Sequence, residues 1–206
     1  MKPKFLITLT LIAILLESCL VPLHYYNDLS EIKKNLIPYK KGEVYSFIDS
    51  TGIVFDATVT IDTTYLIMTE DAPDWFSYDQ FRTVKMKSDY SNFDLTLTVS
   101  EWEIVIDIYS PVNLWIDLRI DEKGKFKTFT YNNDYQHFHN SLEINKKTYF
   151  DVVERFIQYV KIDENGNLDE NGKLLSHKFS RTIFYNKIEG ILQLLDEYKV
   201  IFTINN

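Results

Sequence analysis

The sequence predicts a mainly β protein: a single antiparallel sandwich or barrel-like domain with a short N-terminal helix, preceded by a signal peptide. Three observations carry that prediction. Apolar and polar residues alternate with a period of two through Phe93, Leu95, Leu97 and Val99 and again through Trp102, Ile104, Ile106 and Ile108, the spacing of strands with one buried face. Short polar turn signals separate most of the apolar segments, and no crossover helices stand between them, which disfavours a parallel α/β sheet. The chain also carries 14 Phe, 14 Tyr and 3 Trp among 206 residues, enough large side chains to build a core without disulfides.

Taken in order, Met1 to Lys4 make a basic start, followed by the uncharged run Phe5 to Leu16. That run is far below the roughly 20 residues needed to span a bilayer as a helix and suits a signal-peptide core. Residues 20–27 read as a tether. Asp28-Leu29-Ser30-Glu31 has the spacing of a capping box with Asp28 as the cap, predicting about two helical turns over 29–36, ended by Pro38. Lys40-Lys41-Gly42 reads as a turn, with Tyr39 packed beneath the first hairpin.

Val44, Phe47 and Ile48 open the first strand; Ser50-Thr51-Gly52 turns the chain into 53–61, and Asp62-Thr63-Thr64 is expected to turn it back through Tyr65 to Met68. A polar break at 70–74 precedes a strand over 81–86. At Ser100-Glu101 the apolar parity switches from odd to even, so the chain must turn or bulge there. Leu114, Ile116, Leu118 and Ile120 mark the next strand, and residues 121–125 close a hairpin onto 126–131. Strands over 141–145 and 148–153 pair around Asn145-Lys146. Residues 155–162 and 173–186 flank a tip, and 191–195 and 200–204 finish a set of eleven or twelve strands.

Cys19 is the chain's only cysteine and directly follows the apolar run, in Leu16-Glu17-Ser18-Cys19. This resembles the lipobox of bacterial lipoproteins, with Leu16 three positions before the acceptor and Ser18 just before it; Glu17 stands where that pattern has a small or apolar residue. The resemblance implies a thioether-linked diacylglycerol on Cys19, an acylated new amino terminus (palmitate being the usual type of chain), and removal of residues 1–18. Residues 19–27 then form a lipidated tether and 28–206 one β-rich domain. Two or three acyl chains hold a protein firmly, at about 0.8 kcal/mol per buried methylene. An ordinary signal peptide followed by a coincidental cysteine is the alternative.

The net charge of −8 argues against a nucleic-acid partner, which would require a basic patch. Several constellations have residue types suited to chemistry. Asp163, Asn165, Asn167, Asp169 and Asn171, in a tandem Asp-Glu-Asn-Gly repeat, offer calcium-type oxygen ligands, but Gly166 falls at the wrong place for an EF-hand loop and a solvated hairpin tip accounts for the composition. His137 and His139 share one strand face and would need His177, Glu143 or Asp134 to complete a zinc site. Glu101, Glu103 and Asp107 share a strand face and are the candidate carboxylates for glycan hydrolysis, although alternation alone explains them as its wet side. Trp75, Trp102 and Trp115 are candidates for a sugar-binding or apolar surface, against the commoner fate of filling the core. There is no glycine-rich phosphate loop and no Gly-x-Ser-x-Gly elbow. The residues thus assign no catalytic group, no metal and no cofactor, and only Cys19 as a site of attachment.

Three segments, Ile37 to Phe47, Ser141 to Val152 and Ile183 to Leu192, resemble segments of small lipoproteins of the Bacteroidetes. In the second of these the family has Asn-Gly-Lys where Lys146 replaces the glycine here, and in the third only Gly190 of two glycines remains. The resemblance spans most of the mature chain and implies a β-rich cell-envelope protein. The sequence therefore leads to an expectation of a lipid-anchored, non-catalytic binding or accessory module in the outer membrane facing the periplasm, its partner a protein, a glycan or an apolar ligand. An envelope glycan hydrolase and a calcium-stabilised structural module are the alternatives.

Overall fold

The structure is a computed structural model, and it describes residues 23–72, 75–90, 93–110, 114–132, 134–162, 176–197 and 199–205. Cys19, the leader and the 163–174 repeat lie outside the described residues. Those described form one predominantly antiparallel sheet with a four-residue helix, so the predicted fold class holds. The strands are β1 (Leu23–Asn27), β2 (Val44–Asp49), β3 (Val54–Ala72), β4 (Trp75–Lys87), β5 (Asp94–Val99), β6 (Glu103–Ser110), β7 (Leu114–Arg119), β8 (Phe129–Tyr131), β9 (Asp134–Ile144), β10 (Lys147–Ile162), β11 (Ser176–Asn186), β12 (Gly190–Asp196) and β13 (Lys199–Ile204), with α1 over Glu31–Lys34. The sheet order is β7-β6-β5-β4-β3-β2-β13-β12-β11-β10-β9-β8, and β1 adds to β4 in the one parallel pairing.

The sheet curls until its ends meet. Gln136 of β9 is fully buried and works as a detached peptide group: its Oε1 accepts from the Arg119 N–H at 2.8 Å, while its Nε2 donates to the carbonyls of Arg119 (2.8 Å) and Lys127 (2.6 Å). Beside it Arg155 of β10 donates to the Asp117 carbonyl and carboxylate of β7, both at 3.0 Å. Side chains thus supply the closure that backbone pairing leaves open, and they satisfy groups that would be costly to bury unpaired.

Inside, alternation sets the packing. Leu95, Leu97, Val99, Ile104, Ile106, Ile108, Ile116 and Leu118 point into the core as the period-two pattern predicts. Phe47, Phe55, Phe93 and Phe202 make a cluster with ring centroids 5.3–5.7 Å apart. Such aromatic pairs add about 0.5–1.5 kcal/mol each beyond their area.

The lead-in to β2 crosses the concave side, bonding to strands far apart in the sheet. Arg82 of β4 donates to the carbonyls of Lys34 (2.5 Å), Ile37 (2.7 Å) and Tyr39 (2.8 Å) and forms a two-pronged pair with Asp62 of β3 at 2.8 and 3.0 Å. Across the interior, the Tyr185 hydroxyl of β11 donates to the Leu36 carbonyl at 2.5 Å, and the Ile191 N–H of β12 donates to the Tyr39 hydroxyl at 2.7 Å. Gly190 permits this contact: a Cβ there would stand 2.1 Å from that hydroxyl. Tyr39 also meets Tyr45 of the first hairpin edge-on, as the sequence suggested.

Five local expectations need correction. The helix is capped by Ser30, whose Oγ accepts from the Lys33 N–H, and not by Asp28; it spans only Glu31–Lys34, and the Lys34 carbonyl, which Pro38 could not bond for want of an N–H, accepts from Arg82 instead. Residues 23–27 of the expected tether are a strand, because β4 runs past the end of β5 and offers them an open edge. No turn forms at Asp62-Thr63-Thr64: β3 runs straight through, pairing these residues with Val84, Thr83 and Arg82. A bulge between Val59 and Ile61 shifts the inward-facing positions from odd to even, which places Asp62 on the side that faces Arg82. Residues 121–125 do turn, with the Asp121 carboxylate accepting two backbone N–H groups, but a single bridge, Ile120 to Phe126, follows before the chain crosses to pair with β9. Trp102 falls in the β5–β6 turn instead of on β6, and is exposed.

The β9–β10 turn forms where the sequence placed it, with Asn145 and Lys146 at φ of 51° and 66°. Both central residues are left-handed, as a type I′ hairpin requires, yet only asparagine tolerates that well. Lys146→Gly is expected to raise the free energy of unfolding by about 0.5–1 kcal/mol in urea titration, with an unchanged slope; a loss of stability would contradict the turn.

Candidate binding surface

The β2–β3 ladder ends at Val44 and Thr58, and the β4–β5 ladder ends at Arg82 and Val99. Beyond these points β3 and β4 continue together to Ala72 and Trp75, with β1 along the far edge of β4. The result is a three-stranded arm extending past the closed part of the sheet. Register sets Met68, Tyr78 and Tyr26 in one row across its three strands, next to the pair Leu66 and Gln80. Tyr26 and Tyr78 stack at 4.8 Å. Their face continues the side of the sheet that carries Arg82, but no core covers it: Leu66, Met68 and Tyr26 are 49%, 56% and 63% exposed. On the opposite face Asn27 donates to the Asp79 carboxylate at 2.7 Å. A run of exposed apolar side chains on adjacent strands marks an interaction surface in a folded protein.

Next to the arm, Tyr26, Asn27, Asp28, Asp79, Glu101 and Trp102 line a cleft of about 360 Å³. Two of its lining residues are held by Lys33, which is almost fully buried and donates to the Glu101 carbonyl (2.8 Å) and carboxylate (2.5 Å), with its ammonium 5.6 Å from the Trp102 ring centre. A second cavity of about 420 Å³ lies between the lead-in and β9–β10, walled by Leu36, Phe126, Phe138, Asp151 and Lys187 among others. Its lining mixes apolar and charged groups without a convergent polar set.

The structure separates most of the residues that the sequence singled out. Glu101 sits in the β5–β6 turn, while Glu103 and Asp107 lie on β6, opposite Arg119 and Trp115. The carboxyls of both strand residues are raised, Glu103 by burial and then by the nearby Asp117 charge, which Arg119 partly offsets, and Asp107 by burial. Neither lines the two cavities described above. His139 bonds to Glu154 at 2.8 Å, and His137 packs against the Tyr135 ring with centres 4.5 Å apart. Asp134 lies off that face, its carboxylate accepting from the Gln158 N–H and reaching Arg155. Among the described residues no group of three or more His, Cys, Asp or Glu is placed to hold a metal ion. The side chains of His177 and Trp75 are outside what is described. Trp115 and Trp102 are both exposed, against the expectation that β-domain tryptophans fill the core.

Sequence reasoning passed over the arm. The signal was present in Tyr65-Leu66-Ile67-Met68, four apolar residues in succession where a strand with one wet face would alternate. It also passed over Arg82 and Arg155, because single arginines in apolar surroundings carry no local pattern. No protein-family model, curated protein or solved structure matches the chain.

Burial pushes the Asp117 carboxyl up, but its bonds to Arg155 and Arg119 outweigh that and hold it below the ordinary carboxylate range. A depressed carboxyl contributes stability that is present above its unfolded value, about pH 3.9, and is lost as pH falls through the folded value. Asp117→Asn is therefore expected to cost about 3 kcal/mol at pH 7, because it strands the Arg155 guanidinium. The gap from the parent protein should narrow in urea titrations as pH falls below the ordinary carboxylate range and through the depressed folded value; a gap that stays constant with pH would contradict the ion pair.

Proposed function

We propose that this chain is a membrane-tethered cell-envelope lipoprotein whose β domain is a non-catalytic binding module, with Cys19 as the acylated residue and the outer membrane, facing the periplasm, as its place. The observation that carries the reading is the uncovered apolar face of the arm, whose outer strand β1 begins four residues after Cys19. The interior supports it: among the described residues it is filled by one continuous cluster of aromatic and aliphatic side chains. Binding is accordingly assigned to the surface, where the arm and the Tyr26–Trp102 cleft adjoin. Aromatic rings beside carboxylates suit a polar polymer such as a glycan, and the open face of the arm suits an apolar or protein partner.

A second reading, glycan hydrolysis, is favoured by one observation, the presence of Asp28, Asp79 and Glu101 around a single cleft. It predicts release of reducing ends from envelope polymer, abolished by Asp79→Asn.

Expression with the native leader in a lipoprotein-processing bacterium tests the main reading. The protein should partition with membranes, its intact mass should match cleavage before Cys19 plus two or three acyl chains, and Cys19→Ser should release it to the soluble fraction. An unmodified thiol on a soluble mature chain would contradict it.

A further inference from the structure

We infer that the arm's face of Leu66, Met68, Tyr26 and Tyr78 lies on the lipid surface itself, so that the arm is a membrane-docking platform and not a free flap. The inference rests on the reading of Cys19 as acylated, and it names the occupant of the apolar face.

Reach is the first argument. Leu23 pairs with Trp75, at the end of the arm where β3 and β4 join, and the strand runs from there toward the closed part of the sheet. The anchor thus enters at the far end of the arm. Four residue steps separate Cys19 from Leu23, which even fully extended span only about 14 Å. A domain held on so short a leash keeps the end of the arm beside the headgroups whatever its tilt.

The chemistry of the face is the second. Tyrosine rings with polar tips favour the boundary between headgroups and acyl chains, and Leu66 and Met68 supply the alkyl surface that an interfacial element buries to a depth of about 5–10 Å. The row Met68, Tyr78, Tyr26 holds no charged residue, whereas the opposite face carries Asp79 in its bond with Asn27. That opposite face also exposes Tyr65, Ile67 and Tyr25, but the Asp79–Asn27 pair interrupts it with a charge that would have to be desolvated, so the Met68 face is the better suited to lipid.

Charge is the third. The chain is acidic overall, so attraction to anionic lipid is absent and docking must come from apolar burial. Contact is then expected on zwitterionic as well as anionic vesicles, and to persist at high salt.

Because the chain has no other cysteine, Met68→Cys and Ile67→Cys can each be labelled with an environment-sensitive fluorophore in the acylated protein, reconstituted in phosphatidylcholine vesicles containing brominated lipid. Residue 67 is on the same strand at the same distance from the anchor, but on the opposite face. The inference predicts several-fold stronger quenching at 68 than at 67, unchanged between low and high salt. Intact-mass measurement of the same sample reads acylation separately. An acylated Cys19 with equal or absent quenching at the two positions would overturn the docking face and leave the tether standing. An unacylated Cys19 with selective quenching at 68 would overturn the tether and keep the face. Protection at 68 that depends on protein density in the vesicle, with cross-linking between two copies through Met68→Cys, would replace lipid by a second copy and overturn the inference.

Discussion

Much of this structure depends on one buried guanidinium. Arg82 has five N–H donors and all are used: two on the Asp62 carboxylate and three on the carbonyls of Lys34, Ile37 and Tyr39. A planar, permanently charged fork is suited to this task, because it can bond a carboxylate in two places while still reaching backbone acceptors. Three features follow from it. The last carbonyl of α1 finds its partner there, the lead-in is held across the concavity, and the bulge of β3 after Val59 turns Asp62 inward. The arm leaves the body of the sheet just beyond this clamp, which makes Arg82 the boundary between packed interior and open apolar face.

Closure at the other end of the sheet uses the same principle with different groups. Gln136 stands in for a missing strand, and Arg155 with Asp117 ties β10 to β7. Hydrophobic burial drives the curl but has no direction. The positions at which the ends meet are fixed by groups that cannot be left unpaired in a low-dielectric interior. Tyr39 and Tyr185 extend this logic into the core, where burial pushes both hydroxyls well above their ordinary range and keeps them neutral hydrogen-bonding groups. Fixing the lead-in on both sides also fixes β1, and through β1 the direction from which any segment before Leu23 arrives.

The parts of this fold legible in the sequence were those where one residue's environment is set by its neighbours along the chain. β5, β6 and β7 announce themselves by alternation, and the Asn145-Lys146 and Lys40-Gly42 turns by their residue types. The parity switch at Ser100-Glu101 did mark a turn. At Asp62-Thr63-Thr64 the same reasoning failed, since polar composition there reflects a partner twenty residues away and not a turn. Asp28 looked like a cap until Leu29 proved to be anchored by Gln80 of β4, which places the cap at Ser30. The candidate surface was the least legible. Whether Leu66 and Met68 are core or surface depends on where β2 stops pairing, and that is a property of the whole sheet.

The proposed lipid anchorage and the proposed binding at the arm both draw on a feature far from either, the fastening of the lead-in inside the sheet. If residues 28–39 were a loose strap, β1 would not be held in register and the arm would present no defined face. Native-state hydrogen exchange tests this most directly. The Ile191 amide, which donates to the Tyr39 hydroxyl, and the lead-in amides of Lys34, Asn35 and Leu36, each hydrogen-bonded, are predicted to exchange only by global unfolding, with the same free energy as the amides of β5 and β6. Exchange of the lead-in and of Ile191 orders of magnitude faster than that of β5 and β6 would show a segment that detaches by itself, and would contradict the account.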